Sequence, residues 1–252
     1  MNHLPTSIDE VLQKLDEIIL ETVSDNSYLG IFAYVYRRTT AEIKKAIAEK
    51  QFEDNVRMEH MDVTFANKYI SAYENFKTSV GPVSRSWKIP FKSGHEKLTI
   101  MQHLLMGMNA HINLDLGIAA SETAPGDAIN GLKNDFMKVN DILASLTKEM
   151  QVRIGRISWW MILVGKMGGK NEDAVINFSM IKAREAAWEF ASRLAGLKDD
   201  EKKTAMDEAD TIISDLAEII KRPPGLILRT ILNFISNFEE KDVKKIIAGL
   251  EQ

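Results

Sequence analysis

MNAHINLDLGIAA, residues 108–120, places Asn109, His111, Asn113 and Asp115 in an otherwise apolar run. The residues before it, IMQHLLMG at 100–107, are also mostly apolar. A helix that is apolar nearly all round is a buried helix. Residues 97–120 are therefore predicted to form a buried central helix. Its ionisable groups need partners, because an unpaired buried charge costs several kcal/mol.

Helical periodicity continues on both sides of this segment. Helices are predicted over 8–23, 28–50 and 54–78. Ser7 with Glu10, and Thr39 with Glu42, read as capping boxes, the second interrupting 28–50. GPVSRSWKIPFKSG, 81–94, reads as a loop with a short extended piece, because two prolines and two glycines punctuate it. APGD, 124–127, is a turn from which Asp127 caps a helix to about 149. Further helices are expected over 151–167, 172–196, 199–221, 226–237 and 240–250, with Pro223 and Pro224 breaking the chain before the last two. Connections are short, and no repeat or low-complexity linker interrupts them. The expectation is an all-α fold: a single multi-helix bundle over 1–252, with 198–252 as additional C-terminal helices.

Composition narrows the function classes. The chain has 252 residues, 45% hydrophobic and 27% charged, with a net charge of −4. Without a basic excess, nucleic-acid binding is disfavoured. Cysteine is absent, so there is no disulfide framework, thiolate metal site or thiol nucleophile. MNHLPTSIDEV lacks a basic-then-apolar leader, and a cytoplasmic protein is expected. No apolar run reaches the roughly twenty residues of a membrane span. GKMGGK at 165–170 lacks phosphate-loop spacing, and neither Gly-x-Ser-x-Gly nor His-Glu-x-x-His occurs.

Helix faces point to a site. At about 100° per residue, His111 and Asp115 share one side of the central helix, and His103 lies about 80° from His111. Asn109 and Asn113 lie on the opposite side. In 54–78, Met58, Met61, Phe65, Tyr69, Ala72 and Phe76 form a core stripe that includes Asp62 near Tyr69. In 172–196, Asn177 and Arg184 project from the middle of an apolar face. Three helices thus aim polar groups inward, and bundles build ligand and metal sites in this way.

Bland readings stand beside the functional ones. His111 and Asp115 suit a divalent metal, but also a plain Asp–His hydrogen bond. His103 suits a satisfied core histidine. Arg184 suits an ion pair with Asp62 or Asp115 as well as an anionic ligand. Met58, Met61, Met101, Met106 and Met108 suit ordinary core packing as well as a lipophilic pocket. PPGLILRTILNFISNF, 223–238, reads as a core or dimer helix, with a lid or membrane contact as the alternative. The Trp159–Trp160 pair is expected to pack locally, and SRSWKIPF, 84–91, to close over a pocket.

RMEHMDVTFANKYISAY (57–73), MQHLLMGMNAHINLDLGIAA (101–120) and AVINFSMIKAREAAW (174–188) resemble an uncharacterised bacterial family, classed as a domain of unknown function. The resemblance spans 8–197 and implies no activity. His111 and Asp115 also resemble the His-x-x-x-Asp metal pair of the zinc-dependent phospholipase C and P1-nuclease group, whose members are all-α domains of similar length. That likeness implies metal at this pair. The chain departs from the group in having five histidines and no terminal Trp, so one metal, or two at most, is what it implies.

The reading that joins these features is a metal-dependent enzyme, by default a hydrolase acting on a small or lipophilic substrate. His103, His111 and Asp115 would hold one divalent metal (zinc, iron or manganese), with Asp62 as a further ligand. Tyr69 and Asp62 would serve proton transfer. Asn113, Asn177 and Arg184 would bind substrate. Iron-type oxygen chemistry is a variant. The rivals are a metal-free binding protein for a small lipophilic ligand, and a helical scaffold or homodimer whose buried polar network only fixes packing.

Overall fold

Ser7 starts the first helix as the sequence predicts. The structure, a computed structural model, describes residues 3–157 and 172–251, without the side chains of 144–145, 147–152, 154–157 and 172–180. Among the described residues every regular element is helical, and there is no strand.

Helix α1 (Ile8–Ser24) begins where the Glu10 N–H donates to Ser7 Oγ at 3.3 Å. The return half of the box shifts by one residue: Glu10 Oε2 accepts from the Thr6 N–H at 2.7 Å. Helix α2 (Leu29–Ala48) is unbroken at Thr39, whose hydroxyl donates back to the Val35 carbonyl at 3.1 Å instead of capping. Helix α3 (Asn55–Thr78) is capped by Asp54 and ends at Ser79, which takes a left-handed φ of 57°.

The expected loop at 81–94 contains a helix, α4 (Arg85–Lys92). Ser84 caps it through the Trp87 N–H, and Asp210 accepts from the Arg85 and Ser86 N–H groups at 2.7 and 2.9 Å. Carboxylates at a helix N-terminus satisfy free donors and oppose the helix dipole. Two caps thus hold a short helix together although Pro90 removes one internal hydrogen bond. The second cap comes from a residue more than a hundred positions away, which local reading cannot see.

The central helix is α5 (Ile100–Ala110), a π turn (His111–Asp115) and α6 (Leu116–Thr123). Thr99 and Gln102 form its capping box, so regular helix starts at 100 rather than 97. After a 3-10 turn (Gly126–Ala128), α7 (Ile129–Ile157) runs well past residue 149, and Asp127 lies inside the turn rather than at the cap. Helix α8 (Glu172–Ala195) and α9 (Asp199–Lys221) follow, then α10 (Leu226–Phe238) and α11 (Val243–Glu251). Most of the helix expected over 151–167 lies outside the described residues, with Trp159 and Trp160.

The central helix packs on α2, α3, α4, α8 and α9. Two glycines set its distance from its neighbours. A Cβ on Gly107 would come within 2.6 Å of Phe32 Cγ on α2. One on Gly117 would lie 2.7 Å from Phe190 Cδ1 and 3.0 Å from the Ala187 carbonyl oxygen on α8. Met58, Met61 and Met106 are plain core. Helix α10 departs from the core-helix expectation. Ile235 and Ser236 are its buried residues, while Leu226 and Ile227 are 80% and 79% exposed. Helix α11 then returns to the core through Val243, Ile246 and Leu250, against α2 and α7. Among the described residues, no helix is long and apolar enough to cross a membrane.

Gly→Ala inside a helix normally adds about 1 kcal/mol of stability. At Gly107 and Gly117 the sign should reverse. Each substitution should cost about 1–3 kcal/mol by overpacking, read as a lower urea midpoint with an unchanged slope.

Candidate functional site

The π turn sets the site. The Leu116 N–H bonds to the His111 carbonyl, five residues back, and this widened turn carries His111 and Asp115 at its two ends. Such turns inside α-helices recur at functional sites. Here His111 Nδ1 lies 3.0 Å from Asp115 Oδ2. The same oxygen accepts the Trp87 indole N–H from α4 at 2.8 Å. A carboxylate only accepts, so the hydrogen of His111 is assigned to Nδ1 and Nε2 carries the lone pair. Burial lowers the His111 pKa, against the pull of Asp115, so the imidazole is neutral at pH 7. Burial raises the Asp115 pKa, while its bonds to His111 and Trp87 oppose that shift.

Aromatic side chains enclose the imidazole. Phe65 stacks on it with ring centroids 3.7 Å apart, and Tyr36 meets it edge-on at 4.3 Å. Phe32, Tyr69 and Trp87 complete the box at 5.6, 6.1 and 6.1 Å. Inside this apolar shell, Asp62 Oδ2 and His111 Nε2 are buried without a hydrogen-bond partner, and Tyr36 Oη lies beside the Thr40 hydroxyl. Tyr36 and Thr40 are one turn apart on α2, Asp62 is one turn before Phe65 on α3, and Tyr36 and Phe65 both touch His111. Tyr36 also feels the charge of Asp62. Native structures seldom leave buried polar atoms unpaired, and one neighbourhood that holds two of them needs an explanation.

Asp62 is also strongly perturbed. Burial, and then repulsion from Glu59, push its pKa up to about 7. Burial also raises the Tyr36 pKa, helped by the charge of Asp62, so this phenol stays a donor at neutral pH. A neutral base, a half-protonated carboxyl and two hydroxyls can together accept a proton, give one, and hold a developing oxyanion.

Of the residues named from sequence, His111, Asp115, Asp62 and Tyr69 come together. His103 does not. It lies eight residues from His111, about 12 Å along the axis. It stacks on Tyr28 at 4.5 Å, and its Nε2 lies 3.2 Å from the Glu96 carbonyl oxygen. Burial lowers its pKa to about 4, so it is a neutral, satisfied core histidine. Asn113 faces away: it donates to Asn109 Oδ1, and Asn109 in turn donates to the Ile213 carbonyl of α9. Arg184 contacts α7 rather than Asp62 or Asp115. The Asn177 side chain lies outside the described residues. Asp115 is engaged by two N–H donors, which makes it an orienting group for His111. Among the described residues, no three His, Asp or Glu side chains gather as a metal-ligand set.

Tyr36 and Thr40 escaped the sequence reading, and Trp87 entered it only as part of SRSWKIPF, 84–91, with no role of its own. Tyr36 and Thr40 carry a usable signal, since two polar side chains sit four apart on a helix face otherwise made of Phe32, Ile43 and Ala46. Trp87 carries none without the tertiary cap on α4.

The chain belongs to a family of unknown function, DUF5995, whose match covers residues 8–223, from α1 through α9. No curated protein and no solved structure matches it.

The Asp62 shift sets a pH dependence. Its folded pKa, about 7, lies above the ordinary aspartate value of 3.8. Stability linked to this proton is therefore full below pH 3.8 and lost as pH rises through 7. Asp62→Asn should be more stable than wild type at pH 8, by about 2–4 kcal/mol, with the gain shrinking toward pH 4. Urea denaturation across that range checks it.

Proposed function

We propose that this chain is an enzyme for a small, apolar-bodied organic substrate, working by general acid–base catalysis with His111 as the base. One observation carries the reading: a neutral, oriented imidazole keeps its Nε2 without a partner inside an aromatic box, in contact with Tyr36, which in turn feels the charge of Asp62. The default reaction is hydrolysis. Water attacks a carbonyl carbon and passes its proton to His111 Nε2. The carbonyl oxygen takes up the electron pair and accepts hydrogen bonds from protonated Asp62 and from Tyr36. When the tetrahedral centre collapses, the proton on Nε2 goes to the leaving group. Asp115 holds the tautomer and steadies the imidazolium, and Trp87 fixes Asp115 in turn. Tyr69 forms a wall of the box.

A divalent metal is a second reading, supported by the carboxylate on the Nδ1 side of His111. That arrangement is how many metal-bound histidines are oriented. His111 Nε2, Asp62 Oδ2 and Tyr36 Oη would be the donors, with Asp115 as support. The metal would polarise the carbonyl or activate the water.

Untagged protein should be assayed on p-nitrophenyl acetate and butyrate, with zinc, iron and manganese content measured alongside. Metal-free wild type should turn over the esters, and His111→Gln should lower kcat/KM by about 10²–10⁴-fold. The pH profile should be bell-shaped, with a rising limb below 6.5 from His111 and a falling limb near 7 from Asp62. Activity untouched by His111→Gln would sink the base assignment. Stoichiometric metal lost in both His111→Gln and Asp62→Asn would move the assignment to the second reading. Saturable binding of the esters without turnover would make this a binding protein.

A further inference from the structure

Arg184 is 5% exposed and reaches from α8 onto α7. Its Nη2 donates to the Phe136 carbonyl at 2.6 Å, and its Nε donates to Asn140 Oδ1. Its Cζ lies 4.6 Å from the centre of the Phe136 ring. All these partners are neutral. A guanidinium has five N–H donors, and these contacts use two. Burial pulls the Arg184 pKa down to about 10, with no carboxylate acting on it, yet the group remains charged at pH 7.

Among the described residues, no carboxylate pairs with Arg184. Near Arg184 on α7, Asp135 is paired with Arg57 and Asp141 with Lys138. On α8, Glu185 is paired with Lys182. Residues 158–171, SWWMILVGKMGGKN, contain no Asp or Glu. Among acids whose side chains are not described, Glu149 lies nine residues beyond Asn140, and Glu172 and Asp173 lie twelve and eleven before Arg184. Those separations are about 14, 18 and 16 Å along the helix axes. A buried cation without an anion costs several kcal/mol, whereas a bound anion would balance it.

We propose that Arg184 anchors the carboxylate of an apolar small molecule, at a site separate from the His111 cluster. Three contacts preorganise the guanidinium: the Phe136 carbonyl, Asn140 and the Phe136 ring. Its remaining N–H groups suit the two oxygens of a carboxylate in the paired geometry that arginine favours. A monoanion fits better than a phosphate dianion, because one buried positive charge is to be balanced. The helix faces beside it are apolar, with Phe136 and Leu132 on α7 and Ala187 and Trp188 on α8, all members of one core cluster.

The test is a thermal-shift and calorimetric titration with sodium octanoate, below its micelle-forming concentration and at constant ionic strength. Octanamide, the neutral counterpart, and inorganic phosphate are run in parallel. Octanoate should bind saturably and raise Tm by several degrees, while octanamide and phosphate should do neither. Arg184→Gln and Arg184→Lys, both checked for native helicity, should weaken octanoate binding at least tenfold; whichever folds decides. No octanoate binding to wild type, equal binding of octanamide, a response to phosphate instead, or an unchanged Kd in either folded variant would each overturn the proposal. None of these results depends on ester turnover at His111.

Discussion

Asp115 is a buried carboxylate, and its position in the central helix organises much of what surrounds it. A buried carboxylate must be given hydrogen bonds. One comes from Trp87, which docks α4 against the central helix. The other comes from His111 across the π turn, which fixes the imidazole tautomer. The reactive face of His111 is therefore a consequence of how Asp115 is satisfied. With Nδ1 engaged, Nε2 is left as the ring nitrogen without a partner. Asp210 of α9 holds the same first turn of α4 that carries Trp87, so the donor to Asp115 sits on an anchored helix start.

The fold was legible because its signals are local. The apolar stripe of α3, the Ser7 cap and the continuous hydrophobicity of 100–120 each predict a helix without reference to a partner. Helix α4 was not legible, since its second cap comes from Asp210 and its sequence contains Pro90. The π turn was not legible either, as nothing in HINLD distinguishes it from a regular turn. At the candidate site, His111, Asp115 and Asp62 were readable from helix faces, which depend on spacing alone. The misplacement of His103 arose because angle was weighed without rise: two residues can share a side and still be about 12 Å apart. Asn113 was expected at the site by composition, although its own helix face already turned it toward α9.

A purely structural polar network has a recognisable form, in which each group closes on another. Asn113, Asn109 and the Ile213 carbonyl have that form, and so does His103 with Glu96. The His111 cluster does not. Its Asp115 side is closed by two donors, while His111 Nε2 and Asp62 Oδ2 stay without a hydrogen-bond partner among the described residues. Both arrangements involve the central helix, and they differ in whether each polar group closes on another.

Charge gives the same division over a longer distance. Asp62 is buried without a cation and Arg184 without an anion, and neither acts on the other. Pairing them across the core would relieve both desolvation penalties, and the sequence reading allowed for that pairing. The fold instead sets Asp62 on α3, facing the aromatic box, and Arg184 on α8, held against α7. Keeping two opposite charges buried and apart is costly for a scaffold, since a buried charge is tolerated mainly when paired. It is the arrangement expected if each charge answers to a molecule the chain does not contain: a proton-exchanging substrate at Asp62 and a carboxylate at Arg184.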